Sequence, residues 1–246
     1  MPRPAATPMP RMRSCGDAAV SVEFGDTVDL VTNGLVLALD AALSAAPIPG
    51  VIETVPTYRS LLVHFDPVAA DVDKLEARLM ALALSVSPVA GRRRRWRVPV
   101  TYGGEFGVDL DDLAADRGMT SEVFAQLHHA SIYRIYMIGF LPGFAYLGGL
   151  DPRLHVPRRL TPRPIIPAQS VSIGGAQTAI GSVEGPSGWS LIGRTPVRGF
   201  LRGRDPVFLF EPGDEIAFEP IPANQWDELD RRAAAGEPVA VLEGER

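Results

Sequence analysis

Ile132-Tyr-Arg-Ile-Tyr-Met-Ile138 followed by Gly139-Phe-Leu-Pro-Gly-Phe-Ala-Tyr-Leu-Gly-Gly-Leu150 is the stretch that decides the architecture. Its first seven residues are almost all β-branched or aromatic, the composition of a strand with a buried face, and glycine and proline then break the chain. The same texture runs onward from Ser131. It predicts further strands at Val171–Gly174, Gln177–Val183, Trp189–Gly193, Val207–Phe210 and Glu215–Phe218. Short runs spaced this way read as a closed or sandwiched β-architecture. Prolines at 142, 152, 157, 162, 164 and 167 predict an extended connection that holds neither helix nor central strand, because proline lacks the N–H that a ladder needs. Gln225–Ala235 reads as a terminal helix.

Upstream the pattern changes. Ala18–Phe24 alternates as a half-buried strand, Asn33–Ala46 is a leucine- and alanine-rich helix, and Val51–Pro56 and Ser60–Phe65 are two strands joined by a short turn. Asp73 with Glu76 resembles a capping box for a helix marked by Val72, Leu75, Leu79 and Leu82. With a strand at Trp96–Thr101 the order is strand, helix, strand, strand, helix, strand, the split βαβ arrangement of a small α/β sandwich. Two short helices follow, with Asp109 and Thr120 as caps and Gly118 between them. The expected organisation is an α+β chain: a flexible tail over residues 1–13, an α/β domain over 14–91 and a β domain over 92–246.

Charge and residue usage exclude several function classes. A net charge of −5 gives no global basic field that would draw the chain onto nucleic acid or an anionic membrane. Five arginines and Trp96 fill positions 92–97, and in so acidic a chain they read as a solvated linker or an aggregation-resistant edge strand rather than an anion patch. The single cysteine, Cys15, forms no internal disulfide and fits a reducing cytoplasm. Met1–Ser14 lacks the apolar core of a signal peptide, and no run of about 18 apolar residues occurs, so the chain is expected to be cytoplasmic and not membrane-spanning. Lys74 is the only lysine and precedes Leu75, which rules out a P-loop and makes a Schiff base or a biotin attachment on this chain a poor fit. His64, His128, His129 and His155 have no HExxH or CxxC companion, so no metal is expected. Gly185-Pro-Ser-Gly-Trp189 puts Trp189 where a nucleophile elbow needs its second glycine.

What remains is a set of polar groups on a β-scaffold: Gln169, Ser170, Gln177, Ser187, Arg194 and Thr195, with Tyr136, Phe144 and Trp189 as walls. Arginine offers a planar fork for carboxylates, so the set suits a small polar ligand. The same residues also suit satisfaction of backbone groups at strand ends, and composition leaves both readings open. No catalytic residue stands out.

Tyr133–Leu150 resembles the signature of the family that holds the B-type component of 5-oxoprolinase, the kinase inhibitor KipI and allophanate hydrolase subunit 1. The likeness takes in Gly16–Gly25, Pro56–Val63, Tyr102–Gly107, Thr161–Arg163, Ile166–Ala168, Pro186–Trp189, Leu191–Pro196 and Glu211–Asp214, about residues 14 to 222. The resemblance implies a C-terminal cyclophilin-like β-barrel and a hetero-oligomer. Its partners would be a homologous barrel protein, of the oxoprolinase C-type or allophanate hydrolase subunit 2 type, and a LamB/YcsF-type protein as the A-type component. ATP is then used by the complex, which opens the cyclic amide 5-oxoproline to glutamate, and the chain alone is inactive. The same family leaves two alternatives: a carboxyltransferase component that acts on urea or another small amide with biotin on a different protein, and a KipI-like histidine kinase inhibitor. A cyclophilin-like barrel does not itself imply prolyl isomerase activity. Gln169, Ser172, Gly181, Ser187 and the stretch Phe200–Arg204 depart from the family pattern, at positions where a ligand is expected.

Overall fold

A computed structural model describes residues 9–88 and 94–245, in two units bounded as Met1–Gly91 and Arg92–Arg246. The first unit contains β1 (Arg11–Ser14), β2 (Ala19–Glu23), α1 (Leu30–Ala45), β3 (Val51–Pro56), β4 (Ser60–Phe65) and α2 (Val72–Ser85). Its sheet runs β1-β2-β4-β3. Since β2 and β3 are both antiparallel to β4, which lies between them, they are parallel to each other and α1 joins them as a split βαβ unit. Val22, Leu35, Leu39, Leu61, Val63 and Leu79 are buried in the core between sheet and helices.

Four expectations are corrected here. Residues 11–13 are not tail: all four residues of β1 pair with Val20–Glu23, Met12 packs on the core, and Arg13 Nε donates to Glu23 at 3.0 Å. Such an edge strand, rich in arginine, has no apolar run to announce it. The strand at Trp96–Thr101 is absent from this sheet, and β1 takes the edge beside β2. Helix α2 is capped by Asp71, which accepts from Lys74 N at 3.2 Å, and not by an Asp73–Glu76 box. Helix α1 likewise starts early, because Asp29 Oδ1 accepts from Val31 N and Thr32 N at 2.9 Å each.

The second unit contains β5 (Arg94–Tyr102), α3 (Leu110–Ala115), α4 (Ser121–His129), β6 (Ile132–Ile138), β7 (Ala145–Gly148), β8 (Arg163–Ile166), β9 (Ser170–Gly174), β10 (Gln177–Ile180), β11 (Gly185–Ser187), β12 (Ser190–Arg194), β13 (Glu215–Pro220), α5 (Trp226–Ala234) and β14 (Val241–Glu245). Seven strands close on themselves in the order β12-β9-β10-β7-β6-β13-β5, with β5 returning to β12. The chain is therefore α+β, with a barrel whose interior is filled by apolar side chains such as Val98, Ile135, Leu147, Ile173, Ile192 and Ile216. Strand β14 pairs with Arg94–Arg97 of β5, and β8 and β11 form a separate ribbon.

The proline-rich connection does hold a central strand, since β7 pairs with both β6 and β10. It fits between Pro142 and Pro152, so no ladder N–H is lost. Val207–Phe210 is no strand; a single bridge joins Phe200 to Phe208, whose rings lie 5.3 Å apart. The arginine run is neither linker nor edge in its described part. Strand β5 has neighbours on both sides, and its parallel partner β13 sets Glu215 opposite Arg95. Arg94 grips Asp214 through Nε and Nη2 at 2.8 and 2.7 Å, and Arg95 Nη2 meets Glu215 at 2.7 Å. Asp214 also accepts from Trp96 Nε1 at 3.0 Å and Glu211 N at 2.9 Å. Arg92 and Arg93 lie outside the described residues.

Candidate substrate-binding site

Strand register sends the expected site residues to different places. Gln177 pairs with Gly174 at one end of β9, while Arg194 pairs with Ser170 at the other. Four residues of strand separate those ends, about 13 Å. Gln177 therefore does not share a site with Arg194: the β9–β10 turn at Gly175, with φ +66°, keeps it at the far end. Trp189 precedes the Ser190–Ile173 pair and lies against Gly174, where a Cβ would come within 2.5 Å of the indole. Tyr136 covers Gly148 in the same way, at 2.3 Å. Phe144, Tyr146 and Trp189 form one aromatic cluster, with ring centroids 4.7 to 6.3 Å apart. Ser187 Oγ accepts from Trp189 N at 3.0 Å and fixes the turn into that cluster. Phe144 and Trp189 thus pack with Ala179 in a small apolar cluster of their own, while Tyr136 covers Gly148.

At the other end Gln169, Arg194 and Thr195 do meet. Thr195 N donates to Gln169 O at 3.0 Å, and Arg194 Nε donates to Ala168 O at 3.2 Å. The Arg194 guanidinium lies over the Trp226 ring at 4.8 Å, and Phe106 backs that ring at 4.8 Å. Gln169 Nε2 and Arg198 Nη1 both donate to Asp230 Oδ1, at 3.2 and 2.8 Å. Burial lowers the Arg194 pKa, opposed by the Asp230 charge and reinforced by Arg198. Among the described residues no carboxylate comes within ion-pair distance of Arg194, and its two terminal nitrogens make no hydrogen bond. Trp226, Asp230 and Arg198 are not among the expected site residues. One signal for them lies in the sequence: a tryptophan opens an otherwise polar terminal helix.

Two further polar centres are internally satisfied. His128 is fully buried, with Nδ1 2.7 Å from Tyr102 OH and Nε2 2.9 Å from Thr178 Oγ1. The one Thr178 hydroxyl proton goes to Ser172 O at 2.9 Å, so Nε2 carries the proton and Nδ1 accepts from Tyr102. Burial lowers the His128 pKa to about 3, which keeps the ring neutral. Among the described residues no group of three or more His, Cys, Asp or Glu is placed to hold a metal. Asp109, expected as a helix cap, makes no cap bond; it accepts from Arg163 Nη1 and Nη2 at 2.8 and 2.6 Å and from Leu191 N at 2.7 Å. Burial pushes its carboxyl up, but the Arg163 and Leu191 hydrogen bonds and the charges of Arg163 and Arg159 outweigh that and hold it below its ordinary value.

Residues 10–210 match the family of the carboxyltransferase domain, subdomain C and D. The chain is also 36% identical over 222 residues to the 5-oxoprolinase B-type component of Bacillus subtilis (strain 168), covering 85% of this chain and 91% of that one. This chain belongs to the 5-oxoprolinase B-component family. A crystal structure of the protein TTHA0988 shares 34% identity at a TM-score of 0.75 over 83% of this chain, which spans 40% of that longer protein. The Kluyveromyces lactis urea amidolyase superposes over 100% of this chain and 17% of its own at a TM-score of 0.83, with 18% identity, which shows a common fold.

Within this member of the 5-oxoprolinase B-component family, the match includes Gln169 and Arg194 and ends before α5. Lys74, the only lysine, is exposed at the start of α2 and ion-paired with Asp71 at 2.6 Å, which raises its pKa above the ordinary value. No helix among the described residues is long and apolar enough to cross a membrane.

Proposed function

We propose that this chain is the B-type component of an ATP-dependent 5-oxoprolinase, inactive alone, acting in the cytoplasm with a homologous barrel protein and a LamB/YcsF-type protein. The observation that carries the substrate class is Arg194, a half-buried guanidinium whose terminal nitrogens are unpaired among the described residues, near the Asp230 carboxylate that the Gln169 amide also bonds. Such a group binds a carboxylate through two parallel charge-assisted hydrogen bonds, and 5-oxoproline carries one carboxylate beside its cyclic amide. In this reading the chain orients the substrate ring by its carboxylate. ATP chemistry belongs to the complex, since the residues of this chain do not fit a P-loop.

The test is glutamate release from 5-oxoproline with ATP, using this chain, the two partner proteins, and the full mixture. Activity is expected only in the full mixture. Turnover by this chain alone, or by the partners without it, would overturn the proposal. The carboxyltransferase-domain match favours one second reading, transfer of a carboxyl group to a small amide from biotin on another protein. Carboxylation that depends on a biotinylated carrier, with no glutamate released, would establish it instead.

A further inference from the structure

Arg194 is not the only unmet polar group at its end of the barrel. Thr101 is its Cα partner across the β5–β12 pair, is 4% exposed, and its hydroxyl has no hydrogen-bond partner among the described residues. Residues directly opposed in an antiparallel pair project from the same face, with Cβ atoms about 5 Å apart. A buried hydroxyl without a partner is a standing cost that a ligand oxygen removes.

The surroundings hold Arg194 ready rather than neutralised. Trp226 covers one face of the guanidinium and is itself backed by Phe106. Asp230 is near enough to act on Arg194 electrostatically, yet its Oδ1 is occupied by Gln169 and Arg198. Glu105 acts on Arg194 from beyond ion-pair range. Gln169 holds its place at φ +63°, a left-handed conformation that side chains with a Cβ avoid, while 5% exposed. Strain of that kind persists only where neighbours over-determine it, and here the amide reaches Asp230. Both Trp226 and Asp230 come from α5, beyond residue 210 where the family match ends.

We propose that α5 completes a carboxylate-binding subsite in which Arg194 and Thr101 take the substrate carboxylate and Trp226 and Asp230 act as positioning residues. Trp226 fixes the guanidinium plane, and Asp230, tied to Gln169 and Arg198, leaves the outer edge of that plane open. The substrate's identity as 5-oxoproline rests on the reading given under Proposed function; the subsite itself requires only a small carboxylate.

The experiment is calorimetric titration of the assembled complex with 5-oxoproline and with 2-pyrrolidone, the same ring without the carboxylate, with melting curves run alongside. The wild-type complex is expected to prefer 5-oxoproline by about ten- to a hundredfold, the range for a charge-assisted pair. Thr101→Val, which keeps the side-chain volume, and Trp226→Leu should each lower 5-oxoproline affinity by about tenfold without weakening 2-pyrrolidone, and Trp226→Phe should restore most of the preference. If Trp226→Leu does not fold, Thr101→Val decides. Variants that melt with the wild type and keep its full preference would overturn the subsite, as would a wild-type complex that does not discriminate. A wild-type complex that discriminates but releases no glutamate supports the subsite and overturns the oxoprolinase reading alone.

Discussion

Arg94 and Arg194 are both partly buried arginines of the second unit, and the fold treats them oppositely. Arg94 spends Nε and Nη2 on Asp214, which is itself 3% exposed and takes two more N–H donors. Arg194 spends only Nε, on a backbone carbonyl, and rests its face on Trp226. Burying a guanidinium costs free energy in both places, and the first offsets it within the chain while the second leaves the offset to something that arrives. Charge count does not separate a structural arginine from a binding one. Saturation of its donors does.

The largest break of this comparison comes at the saturated end. Asp214→Ala takes the shared acceptor from Arg94, the Trp96 indole N–H and Glu211 N together, though the Glu211 carboxylate still lies 3.3 Å from Arg94, and removing one partner of a buried pair costs about 3 kcal/mol or more. For a unit of this size that lowers the melting temperature by about 10 °C. A melting curve within a degree or two of wild type would mean that water replaces Asp214 with no loss, and the node is not structural.

At the open end the expected loss is of function. Arg194→Lys keeps the charge and removes the planar fork, so 5-oxoproline turnover by the full mixture should fall by about tenfold or more while the melting temperature stays put. The loss should appear as a raised KM. A collapse in stability with proportionate loss of activity would put Arg194 in the same class as Arg94.

Between these extremes stands His128, saturated but titratable. Its folded pKa of about 3 lies below the ordinary 6.5, so the unfolded chain binds the proton first. Stability is therefore complete above pH 6.5 and falls as pH drops from there toward 3, by at most about 1.4 kcal/mol per unit. Asp109, with its depressed carboxyl, adds loss only below its unfolded value of 3.8, so the window from 6.5 to about 4.5 belongs to His128. Stability measured by urea across that window should slope in wild type and flatten in His128→Gln. An equal slope in both would assign the dependence elsewhere.

Much of the fold can be read from local pattern, and the exceptions share a cause. Strand β6 has the bounds its sequence predicts, because seven consecutive residues favour a pleated, buried surface. The arginine run misleads a local reading because the acids that neutralise Arg94 and Arg95 lie 120 residues further on, and no local window contains both. Asp109 has the residue type and position of a cap, yet it serves Arg163, 54 residues away. Arg194 and Gln169 stand out by their chemistry, while Trp226 and Asp230 reach them only through the docking of α5. Residue type identifies what a side chain can do; register and docking decide which neighbours it does it with.

Gln177 offers the smallest effect and the sharpest use of register. As a type it resembles Gln169: both are amides beside a strand end, and both suit a polar ligand. Yet Gln177 sits with Gly174 at the end of β9 remote from Arg194, whereas Gln169 adjoins Ser170 and bonds Asp230. Its side chain is only partly buried and makes no hydrogen bond to a described residue. Gln177→Ala should thus change stability by less than about 0.5 kcal/mol, the range for surface positions. It should also leave the KM for 5-oxoproline within about twofold of wild type when assayed in the full mixture. A tenfold rise in KM with an unchanged melting curve would mean that substrate contacts the Gly174 end, and the carboxylate subsite would have to be sought there rather than beside α5.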